Sequence, residues 1–130
     1  HDQWQDAPEA YLGITTAHCP NFFMLYGPNT NLGHNTITFM IERQVEYTVR
    51  ALDEMHRQGW ASIEVTQAAQ DRFNQELQAA LAKTTWADPG CHSWYKRADG
   101  RITQNWSSHT RDYAAATAHV RLEDYTTVRR

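Results

Sequence analysis

Long apolar runs are missing from this sequence. None approaches the ~20 residues a membrane-spanning helix needs, and the opening HDQWQDAPEA has neither the basic start nor the apolar stretch of a signal peptide. An excess of positive charge is missing as well. Twelve Lys and Arg face fifteen Asp and Glu, for a net charge of −3, and the basic residues are scattered. That pattern argues against nucleic acid and against a membrane surface as partners. No G-x-S-x-G, P-loop or H-E-x-x-H motif is present. Glycine is scarce, with six in all, and no two lie two residues apart, which excludes a G-x-G-x-x-G dinucleotide fingerprint. The two cysteines, Cys19 and Cys91, each adjoin a histidine, His18 and His92. Adjacent side chains lack the two-to-four-residue spacing of zinc pairs, so two unrelated thiols in a reducing, cytoplasmic setting are expected, and no metal. An initiator methionine is also lacking, which raises the expectation of a chain cut from something longer.

What is present suits one modest globular unit: 130 residues, 41% hydrophobic and 21% charged. The apolar run Phe22-Phe23-Met24-Leu25-Tyr26 is short and is stopped by Gly27-Pro28, which predicts a strand buried on both faces. Beyond the loop, Ile37, Met40, Ile41, Val45, Val49, Leu52 and Met55 recur at steps of mostly three and four. They predict an amphipathic helix over 36–58, with Glu46–Arg50 and Asp53–Arg57 as i,i+4 pairs and Gly59 as its stop. Ile63-Glu64-Val65 reads as a brief extended piece. Thr66 caps a second helix, with Ala69, Phe73, Leu77, Ala80 and Leu81 as its stripe, ending near residue 84. Residues 85–130 form an aromatic-rich irregular tail, with a hairpin turn at Asp99-Gly100 and a short helix over 110–117. The fold class is α+β and helix-rich, and one buried-type strand without neighbours again suggests an incomplete unit.

The loop between strand and helix carries the chemical interest. Helix N-termini hold backbone N–H groups without partners and roughly half a positive charge, and such ends bind anions. Gly27, Asn29, Thr30, Asn31 and Gly33 let a ligand approach this backbone; equally, the asparagines could only cap the helix. His34, His92 and His109 read better as surface or hydrogen-bonded residues than as catalysts. The tryptophans suit a core, or stacking on a ring-shaped ligand.

Two stretches carry a resemblance to a known family. PNFFMLYGPNTNLGHNTITFMIERQVEY, residues 20–47, resembles the C-terminal part of class B flavin-dependent monooxygenases, the Baeyer–Villiger and flavin-containing monooxygenases. TTWADPGCHSWYKRADGRITQNW, residues 84–106, resembles that family's later tryptophan-rich segment. The likeness runs from about residue 10 to about residue 125. It departs from the family pattern after Tyr95, and at Ser107-Ser108, where relatives often carry Pro-Gly.

The resemblance implies a C-terminal fragment, residues 1–130, of an α/β flavoprotein with two dinucleotide-binding domains. Residues 20–58 would be a strand–loop–helix of the FAD domain, followed in the fragment by the second helix, 66–84, and the aromatic-rich tail, 85–130. The parent would use FAD and NADPH to insert one oxygen atom of O2 into a ketone or onto a heteroatom of a small organic molecule. Backbone near Asn31 and Leu32 would meet the pyrimidine edge of the flavin, with Asn29 and Thr30 shaping the loop, and Trp94 would approach the NADP ribose. No residue of the fragment is expected to be catalytic. Alone, it would be inactive and would self-associate through surfaces meant for the missing part. The competing reading is a free-standing ligand-binding or oligomerisation module.

Overall fold

A computed structural model of the chain describes residues 4, 5, 7–33, 36–88, 90 and 94–129. His34, Asn35, Cys91 and His92, which figured in the sequence reading, lie outside the described residues.

The long helix forms as its pattern requires. Helix α1 spans Ile37–Gln58. The Thr36 side chain accepts the Phe39 N–H at its start, and Gly59 ends it in the left-handed region (φ 68°), returning its N–H to the His56 carbonyl. Glu46 pairs with Arg50 at 3.1 Å as expected, but Arg57 pairs with Glu54, one turn away, and not with Asp53. The face turned inward differs from the expected stripe. Met40, Gln44, Tyr47 and Ala51 are buried, while Val45, Val49 and Leu52 stand 43%, 49% and 50% exposed.

The sheet is not the one expected. Strand β1, Trp60–Val65, pairs antiparallel with β2, Tyr125–Arg129, in a register running from Trp60 opposite Arg129 to Val65 opposite Tyr125. Residues 22–26 form no strand. Asn21 and Tyr26 bracket that run with φ values of 59° each, which breaks an extended ladder at both ends. Inside it, the Met24 N–H reaches the Ile14 carbonyl at 2.7 Å, but Phe22 and Leu25 are about half exposed (49% and 52%). A strand buried on both faces needs neighbours on both sides, and none adjoins this one among the described residues.

Helix α2, Gln67–Leu81, starts at Thr66 as expected and buries Ala69, Leu77 and Leu81. The hairpin shrinks to a single bridge between Lys96 and Ile102, closed at Gly100 with φ 86°. Helix α3, Thr110–Ala116, lies where the sequence put a short helix.

Three apolar clusters share side chains. Tyr11, Leu12, Ile14 and Ala17 pack on Tyr47, Ile63, Val65, Ala69 and Tyr125. Leu32, Met40 and Tyr113 form the second, and Leu77, Leu81 and Ile102 the third, with Trp106 packed against both. A buried polar belt ties the chain's two ends together. The Tyr11 hydroxyl donates to Asp124 at 2.6 Å, and the Tyr125 hydroxyl meets those of Tyr47 (2.9 Å) and Thr15 (3.1 Å). Among the described residues, no helix is long and apolar enough to cross a membrane.

Candidate functional site

Residues 27–33 run between the N-terminal turn and the tail, and are held from both sides. Gly13 and Gly27 meet backbone to backbone: a Cβ on Gly27 would lie 2.3 Å from the Gly13 carbonyl oxygen. A Cβ on Gly13 would lie 2.0 Å from the Thr30 methyl. Only glycine fits at this crossing, and at φ 68° Gly13 also occupies backbone that costs other residues strain.

From the other side, the tail grips the loop through the two asparagines. The Asn29 N–H donates to Thr103 (2.9 Å), and its side-chain amide donates to the carbonyls of Ile102 (2.7 Å) and Asn105 (3.0 Å). The Asn31 N–H donates to Gln104 (2.8 Å), the Asn31 carbonyl accepts from Trp106 (2.8 Å), and its side-chain amide donates to Asn105 Oδ1 (2.9 Å). The Thr30 hydroxyl donates back to Gly27 (2.7 Å). Asn29 and Thr30 are buried.

Three donors of the loop and its tail contacts are left over, one of them the indole N–H of Trp106, which is buried without a described partner. The Leu32 N–H has no hydrogen-bond partner among the described residues. Asn105 is 1% exposed, yet its Nδ2 has no described partner. A buried donor without an acceptor costs about 1–3 kcal/mol, which a ligand carbonyl or anion would recover. Beside the loop opens a cavity of about 270 Å³ lined by Pro8, Tyr26, Gly27, Pro28, Asn31, Thr103 and Gln104, none of them charged. Neither Leu32 nor Asn105 nor the first residues of α1 are among the residues that line it.

The five residues singled out from sequence do not form one cluster. Asn29, Thr30, Asn31 and Leu32 are contiguous in the loop. Trp94 stands 73% exposed at the outer end of an aromatic run: its ring lies 4.1 Å from Tyr95, which sits edge-on to Trp86 at 5.2 Å. Trp86 in turn crowds Gly33, where a Cβ would lie 2.8 Å from its ring. The run thus connects Trp94 to the end of the loop.

Sequence reasoning missed Tyr26, Gln44 and Asn105. Tyr26 donates its N–H to Gln44 Oε1 (2.7 Å) and its hydroxyl to Asn31 Oδ1 (3.3 Å). Gln44 Nε2 donates to the Tyr113 hydroxyl (3.1 Å), which donates to the Leu12 carbonyl (2.7 Å). Burial pushes the Tyr113 phenol well above its ordinary range, so it stays a donor. The one available signal was a glutamine interrupting the apolar periodicity of the helix.

No family model matches the chain. Among curated proteins, it is 43% identical over 128 residues to the FAD-binding monooxygenase ktnD of Aspergillus niger. It is 44% identical over 125 residues to a Baeyer–Villiger monooxygenase of Pseudomonas aeruginosa. Each match takes in 95% of the chain but only 21% and 24% of the relative, so the chain spans about a fifth to a quarter of their length. Among solved structures, an oxidized steroid monooxygenase bound to NADP superposes with a TM-score of 0.83 over 98% of the chain and 25% of its own. At 23% identity that match speaks for the fold alone. The protein OTEMO in complex with FAD and NADP superposes with a TM-score of 0.81 at 26% identity, over the same shares.

Proposed function

We propose, from the premise that this chain is a homologue of one segment of the flavin-dependent Baeyer–Villiger monooxygenases, that it is the C-terminal piece of such an enzyme and forms one wall of its flavin site. One observation carries the assignment. Residues 29 and 31 make six hydrogen bonds to the tail, counting both donors and acceptors of Asn29 and Asn31, while the Leu32 N–H has no partner among the described residues. Such a loop is fixed in place and still has a donor to offer.

The residues fit a flavin. The ring system's pyrimidine edge presents carbonyl and ring-nitrogen acceptors, and the uncharged, small-residue loop offers the Leu32 N–H. When bound, FAD with NADPH and O2 would supply the chemistry: insertion of one oxygen atom into a ketone or onto a heteroatom of a small organic substrate. This chain's residues would do the positioning. Fixed amide dipoles near Asn31 and Leu32 would stabilise negative charge on the ring edge without having to reorganise. Asn29 and Thr30 hold the loop's shape, and the apolar cluster of Leu32, Met40 and Tyr113 excludes water from behind it. Trp94, exposed in this chain, would turn its ring toward the NADP ribose.

The open apolar surface agrees with a missing remainder. Val45, Val49 and Leu52 on α1, with Phe22, Leu25 and Tyr26, would face the rest of the FAD domain, the three-quarters or more of the relatives' length that this chain lacks. Both dinucleotide fingerprints would lie there. The purified chain is therefore expected to be colourless and to oxidise no NADPH. Retained FAD colour or measurable NADPH oxidation would overturn the assignment of the chain as an inactive part.

A further inference from the structure

We infer that Gln44, a buried glutamine in the middle of α1, is a positioning residue that sets the pose of the ligand-facing loop through Tyr26. The inference rests on the reading of residues 29–33 as that loop. Gln44 is 0% exposed, at a helix position where an apolar side chain would cost nothing to bury. Both ends of its amide are used. Oε1 accepts the Tyr26 N–H at 2.7 Å, and Nε2 donates to the Tyr113 hydroxyl at 3.1 Å.

The identity of the two partners gives this its meaning. Tyr26 has φ 59°, a conformation that costs a non-glycine residue strain unless its surroundings hold it. Gln44 supplies that hold. Tyr26, so fixed, places its hydroxyl 3.3 Å from Asn31 Oδ1, whose amide nitrogen is held 2.9 Å from Asn105. On the far side, Tyr113 passes the anchor to Leu12, in the turn that crosses the loop at Gly13. One side chain thus links α1, α3, the N-terminal turn and the loop. A methionine of equal length would fill the space and make none of these bonds.

Amide hydrogen exchange on the 130-residue chain, resolved by residue, tests this without any flavin. In Gln44→Met, the Tyr26 and Asn31 amides should exchange about tenfold faster, the loss of roughly one net hydrogen bond, while amides in α2 keep wild-type rates. In Gln44→Glu, a carboxyl oxygen still accepts the Tyr26 N–H, so that amide should stay within about threefold of wild type, the low end of one net hydrogen bond. Tyr26→Phe, a change at a half-exposed side chain that leaves the fold intact, should speed exchange at Asn31 and leave the Tyr26 amide protected. Unchanged Tyr26 and Asn31 amides in Gln44→Met would overturn the inference. So would an equal acceleration across α2, or a Glu variant that loses as much as the Met variant. If Gln44→Met does not fold, the Glu and Tyr26→Phe variants decide by the same criteria. If the loop amides respond as expected but the full-length protein binds no flavin, the positioning role stands and the flavin reading fails.

Discussion

Four buried phenols hold much of this chain together, and their chemistry dictates how it fails. Burial, joined by the Asp124 and Tyr125 contacts, raises Tyr11 and Tyr47 far above the ordinary phenol range. Burial raises Tyr113 too, and pushes Tyr125 up to about 12. A phenol of the unfolded chain ionises near pH 10. Each raised group therefore stabilises the fold fully below about pH 10. That contribution is lost as pH climbs through the folded value, about 12 for Tyr125. On an alkaline ramp, the phenolate absorbance of these four residues is expected to rise together with the loss of circular dichroism. Their ionisation near pH 10 with the fold intact would contradict the belt of hydrogen bonds from Tyr11 to Asp124 and from Tyr47 to Tyr125.

At the scale of elements, α1 carries two apolar faces, and only one is covered here. Val45 and Val49 point to solvent, so Val45→Lys with Val49→Glu is expected to change stability by no more than about 0.5 kcal/mol per site. The same pair should reduce self-association of the chain. Sedimentation across a concentration series checks both halves: wild type should form dimers or larger species, and the double variant should shift toward monomer. A wild-type chain that stays monomeric at high concentration would remove the ground for this expectation. The two faces also explain what the sequence could and could not reveal. The caps at Thr36, Gly59 and Thr66 act locally, so both long helices and the 110–116 helix were legible from residue order. Which face of α1 is buried was not, because Gln44 and Tyr47 are chosen by partners 69 and 78 residues away. The β1–β2 pairing escaped for the same reason. Residues 125–129 have no apolar alternation, and four of the five are exposed, so only the partner strand makes them a strand.

For the whole molecule, the mismatch between residues 22–26 and their expected role is informative. An apolar run that reads as an interior strand lies half open, beside an uncovered helix face, in a chain a fifth to a quarter as long as its relatives. From residue order alone the loop was legible only as an even choice between a place for a ligand and a helix cap, and the resemblance tipped that reading toward the ligand. Its restraint by Asn105 and Gln44 was not legible, since that depends on the folded tail. The central claim is that this loop belongs to a flavin site whose remainder is encoded with it. The visible absorption spectrum of the protein made from the complete surrounding reading frame, purified without added cofactor, tests it most directly. The expected result is a flavin spectrum with stoichiometric bound FAD. A full-length product that is colourless and takes up no added FAD would contradict the account.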